Sequence, residues 1–327
     1  MVPDLSIFAD AMSYRSIGRT ERHSPLLDAL IDPESQVEEL AHGFIWTEGP
    51  VWVPERQALF FSDVPANRMY RWTENEGASL YLSPSGYEGH DPAAFREPGS
   101  SGLIRGPGTT ILMADHGNRA IASLDLETRK KAFLATSYAG KRFNSPHDLV
   151  RASSGSIYFT DPPYGLEGLN ASPLKEMPFN GIFRLDPDGT ATLLEQGMSF
   201  PNGIILSPDD RTLYVTNSDP TRAIVMAYAL DNGGSLAARR IFKDFTPFVG
   251  ERKPGLPDGM AIDVAGNLFV TGPGGISVLT PDGLLLGVIS TGTAIANCAF
   301  GGDGSTLYIA ADHKLARLQT RTRGLGF

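Results

Sequence analysis

Six polar residues recur at comparable places along the chain, each at the head of a short apolar run. In chain order they are Glu48, Ser101, His147, Asn202, Asp258 and Asn297. Two carboxylates, two amides, a hydroxyl and an imidazole make an oxygen-rich set of the kind that binds Ca²⁺, which takes about 6–8 oxygen ligands. The single imidazole leaves Zn²⁺ and Mn²⁺ open, and Mg²⁺ is a further alternative. If the fold brings these side chains together, they predict one divalent metal ion, with Ca²⁺ favoured.

Turn formation is the alternative explanation for these residues. Asn-Gly and Asp-Gly pairs are common in tight turns whatever the function, and such pairs stand at Asn202-Gly203 and Asp258-Gly259. The recurrence of polar residues in register favours a shared site over coincidental turns. Polar side chains that converge in a buried place also need partners, because burial without them costs free energy.

The segments that must position this set form a sixfold repeat. Each polar residue opens a short apolar strand, and a second strand rich in β-branched and aromatic residues follows it. The second strands end at Asp63, Asp115, Asp161, Asn217, Gly272 and Asp312. A repeat of about 40–55 residues with four strands is typical of a β-propeller. We therefore predict an all-β fold, a six-bladed β-propeller with about four antiparallel strands per blade, over a β-sandwich.

The start of the chain falls outside the repeat. We predict an N-terminal extension over residues 1–36 and the propeller over residues 37–327. The last repeat is one strand short, and Val37–Ala41 could supply that strand and close the ring. The segment Ser24–Ile31 is expected to form a short helix.

Composition narrows the classes of partner. The chain of 327 residues has a net charge of −9 and no block of Lys and Arg, so nucleic acid and anionic membrane surfaces are excluded on electrostatic grounds. The stretch from Met1 to Arg15 lacks a basic region followed by an apolar one, and no apolar run approaches the roughly 20 residues that span a bilayer. We expect a cytoplasmic protein, either a monomer or a small homo-oligomer.

The motifs around the six polar residues resemble those of the regucalcin/gluconolactonase family, also called the senescence-marker-protein family, over about residues 40–320. The matching stretches are TEGPVW, FFSDVPANRMYRW, KRFNSPHDLV, IYFTDPPYGL, FPNGIILSPDDRTLYVTNSDP, LPDGMAIDVAGNLFVTGPGG and ANCAFGGDGSTLYIAAD. The resemblance implies a six-bladed propeller with one axial divalent metal ion, and it implies lactone opening as the activity.

The resemblance also implies roles for individual residues. The family's metal ligands fall on Glu48, Asn202 and Asp258, which are three of the six repeated positions. The family's substrate-side asparagine falls on His147, and a further family asparagine falls on Ser101. His147 could bind the metal, act as a general base or reshape the pocket. These two departures from the family pattern leave the particular lactone open.

The expected chemistry is metal-assisted hydrolysis of a small-molecule lactone or ester. Asp258, His147 and His116 are the candidates for the base that deprotonates water. Ser101, Arg142, Asn144 and His147 are the candidates for substrate contacts. The alternatives are a non-catalytic Ca²⁺-binding or interaction propeller, and a hydrolase of another ester class on the same metal site. The chain has no Gly-x-Ser-x-Gly motif, and Cys298 is its only cysteine, which disfavours a serine or cysteine hydrolase.

Overall fold

The computed structural model describes residues 14–250 and 252–327. Three strands precede the first complete blade: β1 (Arg15–Ser16), β2 (Arg19–Arg22) and β3 (Val37–His42). Blade 1 contains β4 (Thr47–Val53), β5 (Ala58–Asp63), β6 (Arg68–Thr73) and β7 (Gly77–Leu82). Blade 2 contains β8 (Ser100–Arg105), β9 (Thr110–Asp115), β10 (Ala120–Asp125) and β11 (Lys131–Ala135). A separate hairpin follows, with β12 (Ser137–Tyr138) and β13 (Lys141–Arg142).

The remaining four blades continue in the same order. Blade 3 contains β14 (Leu149–Arg151), β15 (Ile157–Asp161), β16 (Gly181–Leu185) and β17 (Ala191–Glu195). Blade 4 contains β18 (Pro201–Leu206), β19 (Thr212–Asp219), β20 (Arg222–Leu230) and β21 (Leu236–Asp244). Blade 5 contains β22 (Met260–Ile262), β23 (Leu268–Gly272), β24 (Gly275–Leu279) and β25 (Leu285–Ser290). Blade 6 contains β26 (Asn297–Gly301), β27 (Thr306–Ala311) and β28 (Lys314–Gln319), with β3 as its fourth strand.

The described helices are all short 3₁₀ segments: Pro25–Ala29, Pro54–Arg56, Pro92–Ala94, Leu169–Ala171 and Thr246–Phe248. The first of these confirms a short helix within Ser24–Ile31, and the Ser24 hydroxyl accepts a hydrogen bond from the Leu26 N–H at its start. In the described ranges, no helix is both long and apolar enough to cross a membrane.

The prediction of six four-stranded blades is confirmed, and so is the closing strand. β3 pairs antiparallel with β28, so a strand from the beginning of the chain completes the blade formed by its end. The rest of the described N-terminal segment extends the outer edges of two blades. β1 pairs with β3, and β2 pairs with β25. Residues 1–13 of the predicted extension lie outside the described residues.

The core lies between the blades, because successive side chains of a strand point to opposite faces of its sheet. In β5, Phe60 belongs to an apolar cluster that includes Leu103 and Met113 of blade 2. The next residue, Phe61, belongs to a cluster that includes Tyr308 and Leu315 of blade 6. Alternating apolar residues therefore join each blade to both neighbours and hold the inner strands around a central axis.

Candidate active site

Glu48 is a buried carboxylate on the innermost strand of blade 1. Its Oε2 atom accepts hydrogen bonds from the Gly49 N–H at 2.8 Å and from the Asn297 amide at 3.1 Å. Its Oε1 atom is also buried, but it has no hydrogen-bond partner among the described residues. Burial and then the Asp258 carboxylate raise the pKa of Glu48 to about 8. One oxygen of this side chain is fixed in place while the other remains available.

In Asn202 and Asp258 as well, one polar group is hydrogen-bonded and a side-chain oxygen is not. The Asn202 amide donates to the Ser218 hydroxyl at 2.8 Å, whereas its Oδ1 atom is buried and unpaired in the described part of the chain. Asp258 precedes β22, and its backbone N–H donates to the Thr271 hydroxyl at 3.1 Å. Its Oδ1 atom likewise has no partner in the described ranges. Burial, together with the Asp148 and Glu97 carboxylates, raises the pKa of Asp258 well above its ordinary value.

The glycines that follow these residues have a packing role that argues against the turn explanation. A Cβ atom at Gly203 would lie 2.2 Å from the Asp258 carbonyl oxygen, and one at Gly259 would lie 2.1 Å from the side-chain amide of Asn297. The backbone contact excludes a side chain at Gly203, and a side chain at Gly259 would displace the Asn297 amide that donates to Glu48. The polar-glycine pairs are therefore places where neighbouring inner strands approach closely at the narrow axis.

His147 completes the cluster from the loop just before β14. Its Nε2 atom lies 3.6 Å from Asp258 Oδ1 and 4.0 Å from Glu48 Oε1. Candidate ligand atoms of these three residues all lie within 4.8 Å of one another. A divalent cation fits this donor set, because unpaired buried carboxylate and amide oxygens, at Glu48, Asn202 and Asp258, would otherwise cost free energy.

A cavity of about 810 Å³ opens above the cluster and includes His147, Asn202 and Asp258 in its wall. Its apolar lining comes from Ile45, Trp46, Pro65, Pro220, Val249, Pro254 and Leu256. An apolar pocket with a few convergent polar groups at its base is the usual form of a small-molecule site.

Comparison with known proteins places this architecture in a family. Residues 46–313 match the family model described as "SMP-30/Gluconolactonase/LRE-like region". The chain belongs to this family. It is 47% identical to the gluconolactonase of Zymomonas mobilis over 317 residues, which cover 96% of this chain and 89% of that protein. It is 29% identical to a pentonolactonase of Haloferax volcanii, over 80% of both proteins.

Solved structures of the SMP-30/gluconolactonase family agree with this assignment. A gluconolactonase from Xanthomonas campestris superposes with a TM-score of 0.80 at 28% identity, over 95% of this chain and 98% of that chain. A calcium-binding regucalcin from Agrobacterium tumefaciens has a TM-score of 0.67 at 19% identity, over 88% of this chain and 94% of that one, and supports the fold alone. The resemblance predicted from the sequence motifs is confirmed.

Two predicted site residues of this family member lie behind His147 rather than in the cavity wall. The Ser101 hydroxyl lies 3.2 Å from His147 Nδ1, and His116 Nε2 lies 3.0 Å from the same atom. Both side chains are fully buried. Their geometry favours contact with His147, and neither lines the cavity, so Ser101 is not retained as a substrate contact and the role of His116 as a base stays a prediction.

Arg142 and Asn144 do not reach the cavity, and we withdraw them as substrate contacts. Arg142 is exposed on β13, where its guanidinium donates to the Asn118 carbonyl. The Asn144 amide nitrogen donates to the carbonyls of Asp161 at 2.8 Å and Phe179 at 3.0 Å. Their closeness to His147 in sequence does not place them on the same surface.

Tyr164 and Glu97 are among the cavity-wall residues that sequence analysis missed. Tyr164 follows β15, its ring centroid lies 5.0 Å from that of His147, and its buried hydroxyl has no partner in the described ranges. Burial raises the pKa of the Tyr164 hydroxyl, which keeps it protonated. Glu97 precedes β8 and faces His116. The one available signal was the position of Tyr164 within the IYFTDPPYGL motif.

Proposed function

We propose that this protein opens a sugar-type lactone by hydrolysis, with one divalent metal ion held by Glu48, Asn202 and Asp258. The observation that carries the metal site is the cluster of Glu48, His147 and Asp258, whose ligand atoms lie within 4.8 Å of one another. The buried oxygens of Glu48, Asp258 and the adjoining Asn202 have no hydrogen-bond donor in the described chain. Lactone hydrolysis is supported by the 47% identity to a gluconolactonase along nearly the whole chain. A metal ion bound there would supply a Lewis acid that polarises a carbonyl oxygen.

The protein's own groups provide the remaining functions. Glu48 and Asp258 are committed to holding the ion, so His147 Nε2 is the neighbouring acceptor that stays available for the proton of the attacking water. Tyr164 remains protonated and can donate a hydrogen bond from its hydroxyl to a substrate oxygen. The apolar side chains of Ile45, Trp46 and Leu256 line the cavity around these polar groups and offer a surface for the carbon atoms of a substrate.

The substrate class follows from the cavity and the relatives together. Proteins named gluconolactonase and pentonolactonase are both among its relatives, and a volume of about 810 Å³ accommodates a single sugar ring. We therefore propose five- or six-carbon aldonolactones as substrates. A simple aliphatic lactone or an aryl ester would enter the same cavity but would lack hydroxyls for the polar base.

The test is hydrolysis by metal-stripped protein that is resupplied separately with Ca²⁺, Mg²⁺, Mn²⁺ or Zn²⁺. Gluconolactone, a pentonolactone, valerolactone and an aryl ester form the panel, with spontaneous hydrolysis subtracted. We expect chelation to abolish activity and one ion, with Ca²⁺ favoured, to restore it. Full activity after complete chelation would refute the metal mechanism. Metal binding without hydrolysis of any substrate would instead support the non-catalytic Ca²⁺-binding alternative.

A further inference from the structure

A second cavity, of about 460 Å³, lies beside blade 5. Its wall is formed by β2, by β24 and β25, and by the segment that leads from the end of β21 toward β22. We call it the basic cavity, because its lining includes Arg19, His23, Lys243, Arg252 and Lys253. In the described ranges, Glu21 is the one acidic residue among them.

The charge of the basic cavity is opposite to that of the whole protein. The chain has 37 acidic residues and 28 Lys or Arg residues, yet four Lys or Arg residues and one carboxylate line this cavity. Arg19 pairs with Glu21 at 2.6 Å. Glu251 precedes Arg252 in the sequence and lies outside the described residues. Counted together with Glu21, it still leaves two positive charges in excess, so an anion is the favoured ligand.

The basic residues act on one place although they come from distant parts of the chain. β2 pairs with β25, with Arg19 opposite Ser290, and this pairing holds the N-terminal segment against blade 5. The hydrogen bond from Arg19, together with the charges of His23 and Lys253, lowers the pKa of Glu21. The cations of the N-terminal segment and of the loop before β22 therefore converge on the same space.

The remaining lining suits a phosphate group attached to a small carbon skeleton. Guanidinium and ammonium groups bind phosphate oxygens, and a phosphate monoester carries a charge of about −1.5 to −2 at neutral pH, which matches the excess of positive charge. Ser277 and Ser290 supply hydroxyls, and Phe245, Phe248 and Leu285 supply apolar surface. The volume lies in the range of small-molecule sites and accommodates a single sugar ring.

We propose that the basic cavity binds a small phosphate ester, such as a phosphorylated sugar, through Lys243, Arg252 and Lys253. β2, which forms one wall, precedes residues 46–313 of the family match. It is not needed to close the propeller, because β3 supplies the closing strand. The proposed site therefore gives a role to a segment that the propeller itself does not require.

The basic cavity shares part of its wall with the active-site cavity. Lys253 and Pro254 line both cavities, and Asp258 follows in the same segment. The Gly274 N–H donates to the Pro254 carbonyl at 2.9 Å and joins this segment to blade 5. A phosphate ester that engages the Lys253 ammonium would change the charge at the rim of the other cavity. We expect it to change the KM for the lactone, a consequence that rests on the proposed function.

The direct test is calorimetric titration of metal-loaded protein, at low ionic strength, with glucose 6-phosphate, inorganic phosphate and glucose. We expect saturable binding of glucose 6-phosphate, weaker binding of inorganic phosphate and none of glucose. Asp258→Ala should bind the ester as wild type does, because the proposed metal lies in the other cavity. Absence of saturable ester binding, or equally tight binding of inorganic phosphate, would overturn the proposal. These titrations do not depend on whether lactones are hydrolysed.

The double variant Lys243→Gln with Arg252→Gln locates the site. Its affinity for glucose 6-phosphate should fall about tenfold or more, because two charged contacts are lost. Arg129→Gln with Lys130→Gln is the matched control, since it removes the same two charges from an exposed turn of blade 2. Equal weakening in both double variants would indicate non-specific attraction and overturn the site.

Kinetics test the link between the two cavities. Saturating glucose 6-phosphate should change the KM for gluconolactone at least twofold in wild type and leave it unchanged in the double variant Lys243→Gln with Arg252→Gln. An equal change in both proteins would show that the ester competes in the active-site cavity. An unchanged KM in wild type with the ester bound would overturn the link.

Discussion

The two ends of strand β22 each carry an aspartate whose environment is opposite in kind. Asp263, just after the strand, is fully buried and accepts four hydrogen bonds. Its donors are the Ala265 and Asn267 N–H groups, the Asn267 side-chain amide and the Thr322 hydroxyl. Asp258, just before the strand, has a buried oxygen with no donor among the described residues. Only four residues separate the two aspartates, yet one carboxylate stabilises a turn and the other has an oxygen without a hydrogen-bond donor in the described chain.

This difference marks a candidate ligand only together with a shared position at the axis, because Asp161 Oδ1 and Asn144 Oδ1 are also unpaired in the described chain but lie outside the cavity wall. A buried carboxylate with all its acceptor sites filled fixes the local backbone, and its removal leaves donors unpaired. A buried carboxylate with an unpaired oxygen lowers the stability of the metal-free fold, so its presence calls for another explanation. Glu48 and Asn202 share the unpaired pattern.

The largest expected effect is the loss of activity in Asp258→Ala. Removal of a ligand carboxylate from the proposed metal site should lower kcat/KM by about 10³-fold or more. The free energy of unfolding of the metal-free protein should change little or rise, because a buried carboxyl group with an unpaired oxygen is removed. Lactone hydrolysis and urea unfolding check the two parts. A variant that keeps a tenth of wild-type activity would contradict the assignment of Asp258.

The reverse outcome is expected for Asp263→Ala. Four donors lose their acceptor, and at about 1–3 kcal/mol for each buried unpaired group the fold should lose roughly 3 kcal/mol or more. The kcat of the molecules that remain folded should stay within about twofold, because Asp263 belongs to the turn that follows β22 and not to the cavity wall. Urea unfolding and active-fraction-corrected kinetics measure both quantities. A selective loss of kcat without destabilisation would break the comparison.

The sequence was sufficient to predict the blades and the polar cluster at the bottom of the cavity, because both depend on a pattern that repeats along the chain. Alternating apolar residues define each strand, and polar residues such as Glu48, Asn202 and Asp258 recur in register on the innermost segment of each blade. The closing strand was predictable because the last repeat lacked one. Two of the six ring positions, His147 and Asp258, stand in loops just before strands that begin at Leu149 and Met260.

The cavity wall could not be predicted in the same way. Tyr164 and Glu97 lie in long loops between strands, outside the repeated pattern, and tertiary contacts decide where these loops go. An isolated backbone bridge between Phe95 and Leu166 joins the two loops. The prediction for Arg142 failed for the same reason. Its closeness to His147 in sequence did not determine which surface its side chain faces, because the chain between them is irregular.

The third prediction concerns the pH dependence of stability in metal-free protein. Burial and Asp258 raise the pKa of Glu48 to about 8 from an ordinary 4.5. Between these values the folded state holds a proton that the unfolded state has lost. Stability should therefore fall as the pH rises from about 4.5 to about 8, by up to a few kcal/mol.

The control for this prediction is Glu48→Gln, which cannot titrate. Urea unfolding of both proteins with excess chelator, at several pH values in that window, isolates the contribution of Glu48 from those of other buried acids. The difference in stability between wild type and variant should change with pH in the stated direction. A constant difference would show that Glu48 remains ionised in the metal-free fold, which would weaken the contrast between the two kinds of carboxylate.

The smallest expected effect is the change of selectivity in His147→Asn, which is separate from the fall in kcat that follows from removing the proposed base. An amide both donates and accepts hydrogen bonds, which suits sugar hydroxyls, and its oxygen suits Ca²⁺, whereas an imidazole nitrogen suits Zn²⁺ and Mn²⁺. We expect the ratio of kcat/KM for gluconolactone over valerolactone to rise about tenfold, the size of one hydrogen bond. We also expect the metal preference to move toward Ca²⁺.

His42→Asn is the matched control, because the His42 side chain is 71% exposed and pairs with Glu39 outside the cavity. If kcat and the substrate and metal rankings of His147→Asn all equal those of wild type, His147 only packs against the channel wall. The unpaired oxygens of Glu48, Asn202 and Asp258 would then account for the whole site.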